Sequence, residues 1–177
     1  MKKRRGDSLF LFMLSFTVVI ALMVIANGDL SNFYNQNMKV KAAVNRAVKA
    51  ASMQLDTTVV DLAGENLSAQ GIFLIDEIKA EEAFKEVLTQ NLGLDNELKP
   101  LSNSILSSPA EIIEFKILND YQNMPYDYTS PVNGKTYNIK NPCVLTIMKI
   151  QIKSFLINKE MIFGRLSSSE LMNKNQI

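Results

Sequence analysis

Few residues in this chain are equipped for covalent chemistry. The 177 residues include no His and one Cys, Cys143. A His-ligated metal site and any nucleophile activated by His are therefore excluded within one chain. An intrachain disulfide is excluded as well. Cys143 follows Pro142 at the head of an apolar run, where a lone thiol serves as a small buried hydrophobe. Glu77, Glu81, Glu82 and Glu86 share one segment, but no companion ligands accompany them, and they read as the solvated face of a helix. Asp95-Asn96-Glu97 lacks the spacing of a calcium loop. Neither a Gly-rich phosphate loop nor a nucleophile elbow occurs. Tyr121, Tyr126, Tyr128 and Tyr137 crowd one segment, either covering a sheet end or forming a ligand face. The expectation is a non-enzymatic protein that needs no cofactor and no metal.

The stronger signals lie at the N-terminus. Lys2, Lys3, Arg4 and Arg5 precede an uncharged run from Leu9 to Ala26, and Asn27-Gly28-Asp29 closes it. Twelve of its eighteen residues are Leu, Ile, Val or Phe. As a helix it spans roughly 27 Å, close to the thickness of a hydrocarbon core. Those residues contribute roughly −5 kcal/mol towards insertion, and Ser15 and Thr17 subtract little. The run reads as a single transmembrane helix over residues 9–26. It exceeds the apolar core of a signal peptide, the competing reading, in which cleavage would follow Ala26. The four cations crowd one end, while Lys39, Lys41 and Arg46 stand a dozen or more residues beyond the other. That asymmetry places the N-terminus inside and the C-terminal part outside. Beyond residue 7 the chain carries 15 cations against 17 anions. Such a balance argues against nucleic acid as a partner.

The next residues must connect this helix to the rest. Phe33, Val40, Val44, Ala47, Ala51 and Leu55 recur at helical spacing, and Lys39, Lys41, Arg46 and Lys49 fall largely between them. No Pro interrupts Met1 to Leu55. One helix from Ser8 to Asp56 is expected, roughly 70 Å long, with residues 27–56 forming an amphipathic stalk. Its narrow stripe of small residues packs either on the protein's own domain or on neighbouring copies and partners.

Residues 57–177 read as an extracytoplasmic α+β domain. Thr57 to Gln70 is irregular, and Gly71 to Ile75 is a short strand. Asp76 caps a helix with Ile78, Ala80, Ala83, Phe84, Val87, Leu88 and Leu92 on its apolar face, and Gly93 ends it. Asp95 to Pro109 is a polar surface connection. Ile113, Phe115 and Ile117 alternate with Glu114 and Lys116 as a half-buried strand. Asn133-Gly134 is a two-residue hairpin turn between strands at Pro131–Val132 and Lys135–Ile139. Val144 to Ile157 is the longest strand, with Thr146, Met148, Ile150 and Ile152 on one face. Asn158-Lys159 turns the chain so that Met161 to Leu166 returns antiparallel, and the polar tail from Ser167 frays. The expected fold is a long membrane-plus-stalk helix, a second amphipathic helix and a C-terminal antiparallel sheet of three to five strands.

A short basic tail ending in Gly6, an immediate apolar helix, an amphipathic continuation and a C-terminal sheet resemble type IV pilin-like proteins. Among these the chain looks most like TadE-type minor pseudopilins of tight-adherence pili and related secretion systems. The closest local echo is the Ala- and Arg-bearing run from Val44 to Asp56. The resemblance covers the first 56 residues well and the rest in outline. It implies that Gly6 precedes a prepilin-peptidase cleavage site and that Asp7 is the mature N-terminus. It also implies a non-catalytic component of a bacterial pilus-like or secretion assembly in the cytoplasmic membrane. Its partners would be membrane lipid and other assembly proteins or further copies of itself. The sequence departs from the family at Leu11, where the family has a Glu that pairs with a neighbouring subunit's N-terminus, and no acid follows Asp7 within the apolar run. The alternative class is a stand-alone anchored binding or sensor domain, with the Tyr121 to Tyr137 region as its ligand face.

Overall fold

The computed structural model describes residues 3–59, 64, 66, 73–154, 156 and 160–168. One helix, α1 (Lys3–Ser52), runs without interruption through fifty residues and through Gly28. At 1.5 Å per residue it is about 75 Å long. It carries Gly6 and Asp7 in its first turns and ends four residues earlier than expected. Leu55–Asp56 forms a short strand, β1, paired antiparallel with β2 (Leu74–Ile75). The physical cause is a partner distant in sequence: the Gln54 carbonyl accepts from the Asp76 N–H at 2.7 Å, which takes the chain out of helical geometry. Leu55 is therefore a half-buried strand residue and no member of the helical stripe.

Helix α2 (Glu77–Leu92) has the ends that its sequence dictates. The Asp76 side chain accepts from the Lys79 N–H at 3.0 Å, and Gly93 adopts the left-handed conformation that stops a helix. Ala80, Phe84, Leu88 and Leu92 are buried, whereas Ile78, expected on that face, is 74 % exposed in the first turn.

Strands β3 (Glu111–Leu118), β6 (Cys143–Gln151) and β7 (Glu160–Ser168) form an antiparallel sheet in the order β3-β6-β7. A separate antiparallel ribbon joins β4 (Tyr126–Thr129) to β5 (Thr136–Ile139). The fold is thus α+β: one long helix, a second helix and antiparallel sheets of two or three strands. The hairpin is wider than a two-residue turn. Its innermost strand pair is Thr129 with Thr136, and Ser130 to Lys135 form the loop, with Gly134 at φ +65°. Ile113 does not alternate with its neighbours. A register shift between Ile112 and Glu114 turns Ile112, Phe115 and Ile117 to the helices and leaves Ile113 exposed.

The central strand β6 is covered on both faces. Val144, Met148 and Ile150 face the helices and share a core with Phe84, Leu88 and the α1 stripe. Phe84 packs on Phe115 with ring centroids 4.9 Å apart. Cys143 and Leu145 face the other way, into a second cluster with Leu118 and Ile139, closed by Tyr126, Tyr128 and Tyr137. The segment expected as a surface connection is partly interior. Leu106 is fully buried and bridges Ile152, and the Ser104 hydroxyl donates to the Leu92 carbonyl at 2.7 Å. The irregular stretch read over Thr57 to Gln70, the start of the strand at Gly71, the turn at Asn158-Lys159 and the tail from residue 169 fall wholly or largely outside the described residues.

Candidate functional site

The two halves of α1 have different surroundings. From Leu9 to Ile25 the large apolar residues are all exposed, by 45–67 %, and no described residue covers them. Water would expose them at a cost of about 25 cal/mol per Å² of apolar surface. The stretch also has no need of water to satisfy its polar side chains. Ser15 donates to the Phe12 carbonyl and Thr17 to the Met13 carbonyl, both at 2.9 Å, and Asn27 donates to the Met23 carbonyl at 2.8 Å. Such back-bonding suits a hydrocarbon environment. The helix is long and apolar enough to cross a membrane. It is compatible with a single-pass anchor.

The second half is buried along one stripe. Phe33, Val40, Val44, Ala47 and Ala51 all lie at or below 8 % exposure, and Ala43 and Val48 join them. The stripe packs on α2, β6 and β7 of the same chain. The small residues are what permit this: they let α1 approach α2 and the sheet closely. Arg46 reinforces the seam by donating to the Asn91 side chain at 3.1 Å. Away from the domain, Leu30, Tyr34 and Met38 are exposed by 41–65 % at i, i+4 and i+8. They continue the apolar surface of the bare half along one line.

Where the halves meet, Asp29 does what the sequence reading missed. Its Oδ2 accepts from the Ser154 hydroxyl at 2.7 Å and from the Leu156 N–H at 2.8 Å. The foot of the helix is thereby joined to the connection between β6 and β7, more than 120 residues away. A signal existed: Asp29 stands four residues before Phe33 and continues the stripe by one turn.

The residues singled out for chemistry are structural. Cys143 is buried, and burial pushes its thiol up to about 11, so at neutral pH it stays protonated and a poor nucleophile. The four α2 glutamates are exposed, and Glu81 pairs with Lys85 at 2.6 Å. Asp95 accepts from the N–H groups of Glu97 and Lys99, both at 2.9 Å, and so shapes a turn. The Tyr128 hydroxyl donates to Glu114 at 2.6 Å, which with burial pushes it up to about 12, and Lys116 lies 4.5 Å from its ring centroid. Ser130 donates to the other Glu114 oxygen at 2.5 Å. Tyr126, Tyr128 and Tyr137 thus spend their rings on covering the sheet. Among the described residues no group of three or more Cys, Asp or Glu could hold a metal ion. One open cavity of about 660 Å³ lies between α1, β7 and the hairpin loop, with Lys41, Lys135 and Arg165 on its walls. Glu160 lines it too, and the buried Asn37 Oδ1 accepts no hydrogen bond among the described residues.

Comparison of the chain with models of known protein families, with curated proteins and with solved structures returns no match.

Proposed function

We propose that this protein is a single-pass membrane protein, N-terminus inside and C-terminal domain outside, that serves as a non-catalytic component of a bacterial pilus-like or secretion assembly. The observation that carries the reading is the unbroken α1: its first half is bare and apolar, and its second half is built into the domain. A hinge-free helix of this kind couples what happens in the bilayer to the position of the domain. Self-association or partner binding through the stripe is set aside, since Phe33 to Ala51 are occupied by the chain's own core. The available helix face is the line Leu30, Tyr34, Met38, which extends the surface that lipid or a neighbouring helix would cover. The resemblance to TadE-type pseudopilins supports the assembly role, and Gly6-Asp7 would then be the processing boundary. The missing Glu at Leu11 removes the charge pair by which such subunits are ordered in that family. Packing along Leu30, Tyr34 and Met38 takes its place in this proposal.

The test has two parts. Mass spectrometry of the protein from its native membrane is expected to find a chain beginning at Asp7, and a start at Asn27 would overturn the anchor. Met38→Cys, on the open face, is expected to give disulfide-linked dimers at native expression, whereas Val44→Cys on the occupied stripe gives none. Monomer alone from Met38→Cys would overturn the assembly reading.

A further inference from the structure

Asp29 is the only acidic residue between Ser8 and Leu55, and it stands three residues beyond the last apolar residue, Ala26. Along the helix that is about 4.5 Å. The interfacial layer on each side of a hydrocarbon core is about 5–8 Å deep. Whatever Asp29 holds is therefore held at the level of the lipid head groups. What it holds is the connection between β6 and β7, through the Ser154 hydroxyl and the Leu156 N–H. Leu156 is 55 % exposed and is apolar, as are Phe155 and Ile157 beside it in sequence, while Lys153 and Lys159 flank the three. Three apolar residues between two lysines in the sequence have the composition of an element that sits in an interface. Asp29 loses its repulsion for that layer because its carboxylate is met by a hydroxyl and an amide N–H.

We propose that Leu156, whose N–H is fastened to Asp29, is a second lipid-contacting residue of this protein and rests in the head-group layer of the bilayer that α1 crosses. This inference rests on the anchor reading. The occupant is lipid because Asp29, which holds Leu156, stands within one turn of the bare half of α1, and no described residue covers that half. With two contacts, the domain has a fixed tilt and rotation on the membrane.

The test uses the full chain in vesicles of phosphatidylcholine with phosphatidylglycerol. Leu156→Cys, Leu22→Cys and Met53→Cys are each labelled with an environment-sensitive fluorophore; the unaltered chain, with only buried Cys143, sets the background. Met53 is exposed at the far end of the stalk, about 35 Å along α1 from Asp29. At position 156 the expected result is a blue shift and quenching by a spin label near the lipid head group. Position 22 should be quenched by a label deep in the acyl chains, and position 53 by neither. Quenching at 22 with position 156 behaving like 53 would overturn the Leu156 contact and leave the anchor standing. A blue shift at 156 without lipid quenching would overturn it in favour of a protein contact. No quenching at 22 would overturn the anchor and this inference together. Asp29→Ala is expected to weaken quenching at 156 and leave 22 unaltered; unchanged quenching at 156 would overturn the role given to Asp29.

Discussion

The two halves of α1 share one backbone and differ in every other respect. Residues 9–26 are the most apolar part of the chain, and the domain leaves them bare. Residues 29–52 carry Asn, Gln, Lys and Arg, and the domain buries a stripe of them completely. Hydropathy alone would assign the core to the wrong half. Shape decides instead. Beyond Phe33 the buried stripe is made of Ala and Val, narrow enough for α2 and the sheet to approach closely. The bare half presents Leu, Ile, Phe and Val around its whole circumference, and no single face of it would satisfy the rest. A surface of this kind calls for a solvent, and a stripe calls for a partner.

The largest effect expected from this contrast comes from the same charge placed in each half. Val44→Asp buries a carboxylate in the apolar core, in a position with no exposed surface. It is expected to destabilise the domain by about 4 kcal/mol or more. Val19→Asp is expected to leave the domain within about 0.5 kcal/mol of the parent in detergent, because nothing in the protein packs on it. In membranes the burden reverses: Val19→Asp costs about 2.5–3.5 kcal/mol of insertion. Thermal unfolding in detergent micelles and carbonate extraction of membranes measure the two effects. If Val19→Asp lowered the unfolding temperature as far as Val44→Asp, the division of the helix would be wrong.

The contrast was largely legible before any coordinates. The uncharged run, the Phe33 to Ala51 spacing, the Asp76 and Gly93 caps of α2 and the alternation of β6 all follow from local rules. What was not legible depends on distant residues. The end of α1 at Ser52 has no Gly or Pro to mark it and is set by the pairing of Leu55 with Ile75 and the hydrogen bond from Asp76 to Gln54. Ile113 is exposed because of a bulge that answers to β6, and Leu106 is buried because Ile152 bridges it. Leu145 lies on the face of β6 away from the helices and is buried because the tyrosines of a separate ribbon cover it. The junction through Asp29 joins residues 125 and 127 positions apart, beyond the reach of any periodicity.

A gentler change sharpens the claim that shape, not hydropathy, separates the halves. Ala47→Leu makes the stripe more apolar and wider. It is expected to cost about 2–3 kcal/mol, because Ala47 has no free surface and the added carbons must displace neighbouring core side chains. Ala21→Leu adds the same carbons to the exposed surface of the bare half; domain stability is expected to be unchanged and membrane retention unchanged or better. Denaturant midpoints for the two variants in the same detergent check this. A stabilising Ala47→Leu would show that the stripe is loosely packed and that its small residues are incidental.

The smallest effect tests how far the occupied half depends on the opposite face of the sheet. Tyr128→Phe removes the hydroxyl that donates to Glu114, while Ser130 still donates to the other oxygen. A loss of about 1 kcal/mol at neutral pH is expected. The pH profile identifies the cause. The unfolded phenol ionises near its ordinary value of 10.0, whereas the folded one, held by Glu114 and by burial, keeps its proton to about 12. Between these values the unfolded state binds fewer protons than the folded state, so stability falls as pH rises. The Cys143 thiol, shifted from 9.0 to about 11 by burial, starts the same decline one unit earlier in both proteins. The deficit of Tyr128→Phe should therefore shrink above pH 10, since the variant has no phenol at this position to titrate. Retention of the bare half in the membrane should be the same in both proteins. A deficit constant to pH 12 would show that the folded phenol ionises no later than the unfolded one, and so that Glu114 and burial do not hold its proton.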